Sequence, residues 1–170
     1  MNLPEVFEVI VITLSDRASA GEYQDLSGPR IKDMISDFFT EKGWQFNVTL
    51  RLIPDNGMML SDLLIYSFVR YNIIITTGGT GIGPRDITVD TVMPLLTKEI
   101  PGIMDYVRIK YGAQNPGALL SRGVAGIAGK SLIYTLPGSV RAVEEYMTEI
   151  LRTLTHTLEM QYAIDTHPRH

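Results

Sequence analysis

The stretch that decides the fold is residues 71–86, YNIIITTGGTGIGPRD, in which an apolar run passes straight into a glycine-rich loop. Residues 71–77 have the pattern of a buried strand, with three consecutive isoleucines at the centre. Glycines in the following loop allow positive φ and let a ligand approach the backbone closely. Successive N–H groups in such a loop form a nest for a phosphate or another oxyanion. The stretch therefore predicts a strand that ends in an anion-binding loop.

Strand-like and helix-like patterns alternate on both sides of this stretch, which is typical of an α/β fold with a largely parallel sheet. The section 88–120 has a helical pattern that Pro94, Pro101 and Pro116 interrupt. Met58 and Met59 are predicted to lie in the core. The other predicted elements are strands at 7–14, 46–52 (at an edge of the sheet) and 131–136, and helices at 29–43, 59–69 and 143–158.

The length and composition favour a single soluble domain over residues 1–162, followed by a frayed tail at 163–170. A net charge of -4 argues against general binding to nucleic acid, which needs a basic surface. The chain has no Cys, so disulfides, iron–sulfur clusters and Cys-based zinc sites are excluded. No leader-like segment and no apolar run of about 20 residues is present, so we expect a cytoplasmic protein without a membrane span.

The loop after the third strand carries side chains that suit a bound phosphate. Thr77 and Thr80 offer hydroxyl groups beside Gly78, Gly79 and Gly81, and Arg85 offers a planar guanidinium fork. The loop is neither a Walker A motif, which needs a Gly-Lys-Ser/Thr ending, nor the dinucleotide fingerprint. A tight strand-to-helix turn is the alternative interpretation.

Two aspartates are candidate Mg²⁺ ligands. Asp55 follows the second predicted strand and Asp86 closes the glycine loop, so both should lie where the carboxyl ends of adjacent parallel strands meet. Carboxylates beside bound phosphate are the usual way in which a protein holds Mg²⁺. Helix capping or turn formation is the alternative, since Asp suits both.

Two further polar segments should reach the same edge of the sheet. Ser15, Asp16 and Arg17 follow the first strand, and Gly138 and Ser139 follow the last. Ser139 is placed to cap the final helix, whose free N–H groups can also receive an anion. Capping alone explains Ser139 and a solvated loop explains Ser15 and Asp16, but four polar loops on one edge favour a binding site.

Three ordered motifs together resemble the molybdopterin-binding family, whose members include molybdopterin adenylyltransferases and the N-terminal domain of gephyrin. The motifs are SDRASAGEYQD, TTGGTGIGPRDIT and SRGVAGIAGKSLIYTLPGS, and the resemblance runs from about residue 8 to about residue 150. It implies a three-layer α/β/α fold, a homotrimer, and transfer of AMP from MgATP to molybdopterin with release of pyrophosphate. It also implies hand-over of the product to a molybdate-inserting enzyme.

The resemblance assigns roles only to matching positions. It implies that Asp55 and Asp86 are essential acidic residues, that residues 78–81 bind ligand, and that Ser139 is the serine of the Leu-Pro-Gly-Ser motif. Two positions depart from the pattern: Val140 stands where Pro is usual, and Asn56 stands where a second acidic residue is common. We expect Gly78→Val and Gly79→Val to stay folded and to lose pterin binding.

Two other functions stay open from the sequence. A non-catalytic protein that binds or carries molybdopterin would keep the glycine loop but would not need both aspartates. An assembly role through a trimer surface would normally need additional domains, for which 170 residues leave no room.

Overall fold

The computed structural model describes residues 2–164 and contains a twisted six-stranded sheet with the strand order β2-β1-β3-β6-β5-β4. The strands β2, β1, β3 and β6 run parallel, and β5 and β4 are antiparallel to their neighbours. The α/β prediction is thereby confirmed, as is the edge position of β2. The strands are β1 Val6–Leu14, β2 Gln45–Ile53, β3 Ile73–Thr77, β4 Lys98–Glu99, β5 Ala125–Ala128 and β6 Ser131–Leu136.

Helices cover both faces of the sheet, because its strands carry apolar side chains on both faces. In β1, Val9 and Val11 point into a core shared with α2 and α6, whereas Ile10 and Ile12 point into a second core shared with α3 and α4. These two cores on opposite faces confirm the three-layer arrangement. The helices are α1 Asp16–Ser19, α2 Ser27–Lys42, α3 Gly57–Ser67, α4 Thr88–Val92, α5 Pro101–Gly112 and α6 Val140–Gln161.

The section 88–120 differs from the interrupted helix that its sequence predicts. Pro101 stands in the first turn of α5, and Pro94 and Pro116 stand in the first turns of two short 3-10 helices, Met93–Leu95 and Pro116–Leu120. The prolines therefore begin elements, since proline lacks only an N–H group that the first turn leaves unpaired anyway. The strand β4, which was not predicted, lies between two of these helices.

Residues 57–70 expose apolar side chains that were predicted to be buried. Leu60 and Leu64 of α3 are buried, but Met58 is 77% exposed and Met59 is 47% exposed, so the prediction that both methionines lie in the core is wrong. Ile65, Tyr66 and Val69 are exposed as well. The helix α3 thus carries apolar side chains on both of its faces.

The order of the strands creates the point at which a ligand site is expected. After β1 the chain continues to β2 on one side of the sheet, and after β3 it continues to β4, β5 and β6 on the other side. Crevices at such a switch point, outside the carboxyl ends of the strands, are where open α/β sheets bind ligands. β2 and β3, which precede the two candidate aspartates, are separated by β1, so the prediction that they are adjacent is wrong.

The final helix α6 ends at Gln161, close to the predicted boundary of the domain at residue 162. Residues 165–170 of the predicted tail lie outside the described residues. Within residues 2–164, no helix is long and apolar enough to cross a membrane.

Candidate active site

Two adjoining cavities lie at the carboxyl edge of the sheet, and we name them the first lobe and the second lobe. The first lobe has a volume of about 370 Å³ and is bordered by Ser15, Asp25, Asp55 and Arg85. The second lobe has a volume of about 450 Å³ and is bordered by Ser121 and Tyr146, among others. Both lobes share Gly79, Asp86, Gly138 and Ser139, so they meet at the glycine loop and the start of α6.

The glycine loop is held against the ends of the neighbouring strands by backbone contacts. The N–H of Gly78 donates to the carbonyl of Leu136 at 3.0 Å, and the hydroxyl of Thr77 donates to the carbonyl of Pro137 at 2.8 Å. The hydroxyl of Thr88 donates to the carbonyl of Gly78 at 2.8 Å. The Thr77 hydroxyl, which we predicted to bind a phosphate, donates to Pro137 instead, so Thr77 positions the loop.

Backbone donors gather where the two lobes meet. Four backbone N–H groups of the loop donate no hydrogen bond to any described residue: those of Gly79, Thr80, Gly81 and Ile82. The first N–H groups of α6 lie across from them, where the side chain of Ser139 caps the helix by accepting from Ala142 at 3.2 Å. Free N–H groups of a glycine loop and of a long helix form an anion-binding site. We call this site the anion-binding joint, because it lies where the two lobes meet.

The loops after β1 and β2 are locked together by a reciprocal pair of hydrogen bonds. The N–H of Asp16 donates to Oδ2 of Asp55 at 3.1 Å, and the N–H of Asp55 donates to Oδ1 of Asp16 at 2.9 Å. Arg85 forms an ion pair with Asp16 and donates to the carbonyl of Asp55 at 3.4 Å. One guanidinium thus connects the loops after β1, β2 and β3.

Asp86 packs its carboxylate into the glycine loop. Its Oδ2 accepts from the N–H of Gly83 at 2.8 Å. A Cβ built on Gly81 would lie 2.7 Å from the same oxygen, so a side chain there would displace the carboxylate. Asp86 therefore forms a turn within the loop, one of the two alternatives to a ligand role, and it also borders both lobes.

The electrostatics of Asp16 and Asp55 differ. The hydrogen bond from Arg85 lowers the pKa of Asp16, and the N–H of Asp55 lowers it further. Burial raises the pKa of Asp55, the charges of Asp16 and Asp86 act in the same direction, and the Asp16 N–H opposes the rise. A carboxylate in such surroundings gains from a nearby cation, because the cation favours its ionised form.

The acidic groups fit a Mg²⁺ ion that is bound partly by substrate. The Oδ1 atoms of Asp55 and Asp86 accept no hydrogen bond from any other described residue, and both residues border the first lobe. Among residues 2–164, no group of three or more His, Cys, Asp and Glu side chains is arranged to hold a metal ion. Mg²⁺ normally takes one or two carboxylates and completes its octahedron with phosphate oxygens and water.

Asp25 is a site residue that sequence reasoning missed. Its Oδ2 accepts from the hydroxyl of Thr13 at 2.7 Å, and its Oδ1 accepts from the N–H groups of Ser27 and Gly28 at 3.0 and 3.1 Å. The hydroxyl of Ser27 then donates to the carbonyl of Gly138 at 2.6 Å. Asp25 thereby joins the start of α2 to the end of β1 and to the loop before α6. The sequence feature that could have identified Asp25 as a site residue is its position three residues before Gly28.

The structure brings most of the predicted site residues together, but not all of them. Thr77 and Gly78 border neither lobe. Asp16 does not border the first lobe either, but it contacts Asp55 and Arg85, which do. Arg17 points away, since it pairs with Glu22 at 3.2 Å. The predicted residues that border a lobe are Ser15, Asp55, Gly79, Thr80, Gly81, Arg85, Asp86, Gly138 and Ser139.

The expected phenotype of one loop substitution changes with this geometry. A Cβ on Gly78, whose φ is 98°, would lie 2.3 Å from the carbonyl oxygen of Leu14. That oxygen belongs to the backbone of β1, which cannot move aside. We therefore expect Gly78→Val to destabilise the fold, contrary to the expectation from the sequence, because the clash falls within the fold and not within a cavity.

A profile described as a probable molybdopterin binding domain matches residues 10–156 of the chain. The chain belongs to the molybdopterin-binding domain family. Molybdopterin adenylyltransferase from Helicobacter pylori strain J99 is 30% identical over 158 residues, which cover 92% of this chain and 88% of that protein. A crystal structure of the molybdopterin biosynthesis enzyme MoaB from Thermus thermophilus has a TM-score of 0.81, with 35% identity, and covers 92% of this chain and 97% of that one.

Members of the molybdopterin-binding domain family also occur within longer proteins. Gephyrin from Dictyostelium discoideum is 35% identical over 161 residues, which cover 91% of this chain but only 22% of gephyrin. The chain therefore spans about a fifth of that relative. Family membership places the glycine loop in a molybdopterin-binding domain.

Proposed function

We propose that this protein is a molybdopterin adenylyltransferase that transfers AMP from MgATP to molybdopterin and releases pyrophosphate. The observation that carries the proposal is the anion-binding joint between two lobes, with two carboxylates beside it. Two substrates that react through their phosphates need such a joint, with room for a ring system on either side. Relatives named molybdopterin adenylyltransferase, such as that of Helicobacter pylori strain J99, support the assignment.

The reaction needs positioning and charge stabilisation and no covalent nucleophile on the protein. An oxygen of the terminal phosphate of molybdopterin attacks the α-phosphorus of ATP and forms a new P–O bond. The bond from the α-phosphorus to the bridging oxygen breaks, and pyrophosphate leaves with the electron pair. Free N–H groups from Gly79 to Ile82 and at the start of α6 would hold the phosphates in line.

Charge indicates which lobe takes the triphosphate of ATP. The first lobe contains Asp55, Asp86 and Arg85, and we assign to it the triphosphate end of ATP. Mg²⁺, held by Asp55 and Asp86 together with phosphate oxygens, would stabilise the charge that develops on pyrophosphate. The ion pair with Asp16 holds Arg85 beside the same phosphates. The second lobe is left for a less charged ring system.

The proposal is tested by incubating the purified protein with molybdopterin and MgATP and analysing the product by mass spectrometry. We expect a molybdopterin that carries one AMP, and one pyrophosphate for each product. β,γ-Methylene-ATP should still donate AMP, whereas α,β-methylene-ATP should bind and not react, because its α–β bridge cannot break. Tight binding of molybdopterin without any AMP on it would contradict an adenylyltransferase and would indicate a carrier protein.

We expect the protein to form the homotrimer that its family resemblance implies. Exposed apolar side chains offer two contact faces: Ile65 and Val69 near the end of α3, and Tyr106 and Ile109 on α5. Light scattering should give three times the chain mass of 19.0 kDa. The variants Ile65→Glu and Ile109→Glu would show which face carries the contact. A mass of one chain across the micromolar range would contradict the prediction.

We place the reaction in the cytoplasm, where ATP is supplied. Its product is a phosphoric anhydride between AMP and the phosphate of molybdopterin, in which AMP can serve as the leaving group of a later step. Direct hand-over to a molybdate-inserting enzyme is therefore the fate that we propose for it. The domain responsible is the whole of residues 1–162.

A further inference from the structure

The second lobe, which we call the slot, is bordered largely by residues without bulky side chains. Gly79, Gly81, Gly83, Gly117 and Gly138 all border it, and Gly79 and Gly138 are shared with the first lobe. Two exposed apolar side chains stand at its rim: Ile82, which is 72% exposed, and Leu120, which is 58% exposed. Walls without bulky side chains and an apolar rim suit an aromatic ring more than a flexible polar chain.

A buried hydroxyl without a partner lies at the wall of this slot. Tyr146, on the second turn of α6, is 2% exposed and borders the second lobe. Its hydroxyl makes no hydrogen bond within the described residues. Buried hydroxyl groups in folded proteins almost always have a partner, so an unpaired one at a cavity wall points to a group supplied from the cavity.

Ser121 is the second polar side chain at this part of the slot, next to Tyr146. Ser121 borders the same lobe, and its hydroxyl accepts from the N–H of Gly123 at a long 3.4 Å. Burial raises the pKa of Tyr146, and a weak polar interaction with the Ser121 side chain opposes that rise, so the two hydroxyl groups are neighbours although they do not meet the geometry of a hydrogen bond. Arg108 holds the backbone of this segment by donating to the carbonyl of Gly123 at 2.9 Å.

Tyr134 shows that an unpaired hydroxyl alone does not make a site. Its hydroxyl is also buried and makes no hydrogen bond within residues 2–164. However, Tyr134 lies on β6 in the core and borders neither lobe. Tyr146 differs because it borders the slot, which is lined by glycines and has an apolar rim.

We propose that Tyr146 and Ser121 form the polar floor of the second lobe and that they read the edge of a flat nitrogen heterocycle. The ring enters past Ile82 and Leu120, and a donor or acceptor on its edge completes the hydrogen bonding of the two hydroxyl groups. The inference rests on the proposed function, because both substrates carry such a ring: the pterin and the adenine. The two rings share the chemistry that the slot recognises.

The test separates the two rings by measuring the Kd of molybdopterin and of MgATP for the intact protein, each without the other. We expect Tyr146→Phe to weaken one of these ligands by about 5- to 10-fold and to leave the other unchanged, which identifies the ring. Ser121→Ala should weaken the same ligand. In turnover, the KM of that substrate should rise while kcat stays near the wild-type value, since the contact is present in the ground state as well.

The melting temperature of the ligand-free variant provides an independent readout. Tyr146→Phe should melt at or above the wild-type temperature, because the hydroxyl that it removes has no partner within the described residues. Tyr134→Phe is the matched control and should leave both Kd values unchanged. Kd values for both ligands within about 2-fold of wild type in Tyr146→Phe, or equal losses in the control, would overturn the inference.

The failure of this inference is distinct from a failure of the proposed function. A Tyr146→Phe protein that binds both ligands normally and still adenylylates molybdopterin overturns the role of the hydroxyl and keeps the adenylyltransferase. A wild-type protein that binds molybdopterin and transfers no AMP removes the adenylyltransferase, whereas a selective loss of molybdopterin affinity in Tyr146→Phe would still support the slot.

Discussion

Replacing Asp86 with asparagine is expected to lower the rate of AMP transfer by about 100-fold or more while the protein keeps its fold and most of its affinity for molybdopterin. Asparagine keeps an oxygen that can accept from the N–H of Gly83, a bond of 2.8 Å in the native loop. The glycine loop and its free N–H groups therefore persist. The negative charge beside the first lobe is lost, and with it a ligand for Mg²⁺.

Asp55→Asn should behave in the same way for a related reason. Its side-chain oxygen can still accept from the N–H of Asp16, so the pairing of the loops after β1 and β2 survives. Burial and the neighbouring charges of Asp16 and Asp86 raise the pKa of Asp55, so the native carboxylate is held in unfavourable surroundings. A bound Mg²⁺ would favour the ionised form of this carboxylate, and an uncharged asparagine would attract the cation less.

Asparagine is preferred to alanine in both variants, because alanine would leave the N–H of Gly83 or of Asp16 without its partner. Molybdopterin affinity is measured by fluorescence, and AMP transfer by product analysis on the same preparations. Asp62→Asn on α3 is the control: it removes one negative charge from an exposed position away from both lobes. Normal turnover in both site variants would make the aspartates capping residues and would favour a carrier protein.

The sequence predicts the centre of the sheet well, for a physical reason. β1 and β3 are buried on both faces, so they need continuous runs of β-branched and other apolar residues, and such runs are easy to recognise. β5 is harder to find because its sequence, AGIA, consists mostly of small residues. A Cβ on Gly126 would lie 2.4 Å from the carbonyl oxygen of Lys98, so closeness to β4 requires glycine there. That requirement is visible only in the folded chain.

The candidate site was predictable to the extent that it depends on parallel strands. Polar residues after β1, β2, β3 and β6 must share one edge of the sheet, whatever the details of packing. The direction of each side chain after the strand is not fixed in this way, and Arg17 turns outward to Glu22. The helical pattern predicts a core position for Tyr146, because it lies on the apolar face of α6 with Val143 and Ile150. Only the cavity beside it distinguishes it from them.

Gly78→Ala is expected to destabilise the protein by about 2 to 6 kcal/mol, a large part of the roughly 5 to 15 kcal/mol that stabilises a typical domain. Two costs add. At a φ of 98°, any residue with a Cβ is strained by about 1 to 3 kcal/mol. The Cβ would also lie 2.3 Å from the carbonyl oxygen of Leu14, and relief of that overlap costs about another 1 to 3 kcal/mol.

Gly43→Ala isolates the cost of the backbone conformation. Gly43 ends α2 with a φ of 68°, and nothing lies within 4 Å of a Cβ built on it. Its substitution should therefore cost only about 1 to 2 kcal/mol. Urea unfolding followed by circular dichroism gives both free energies of unfolding, and the difference between them measures the contact with Leu14. If Gly78→Ala were no less stable than Gly43→Ala, the loop would be free to move away from β1, and the rigid anion-binding joint on which the proposed reaction depends would be lost with that contact.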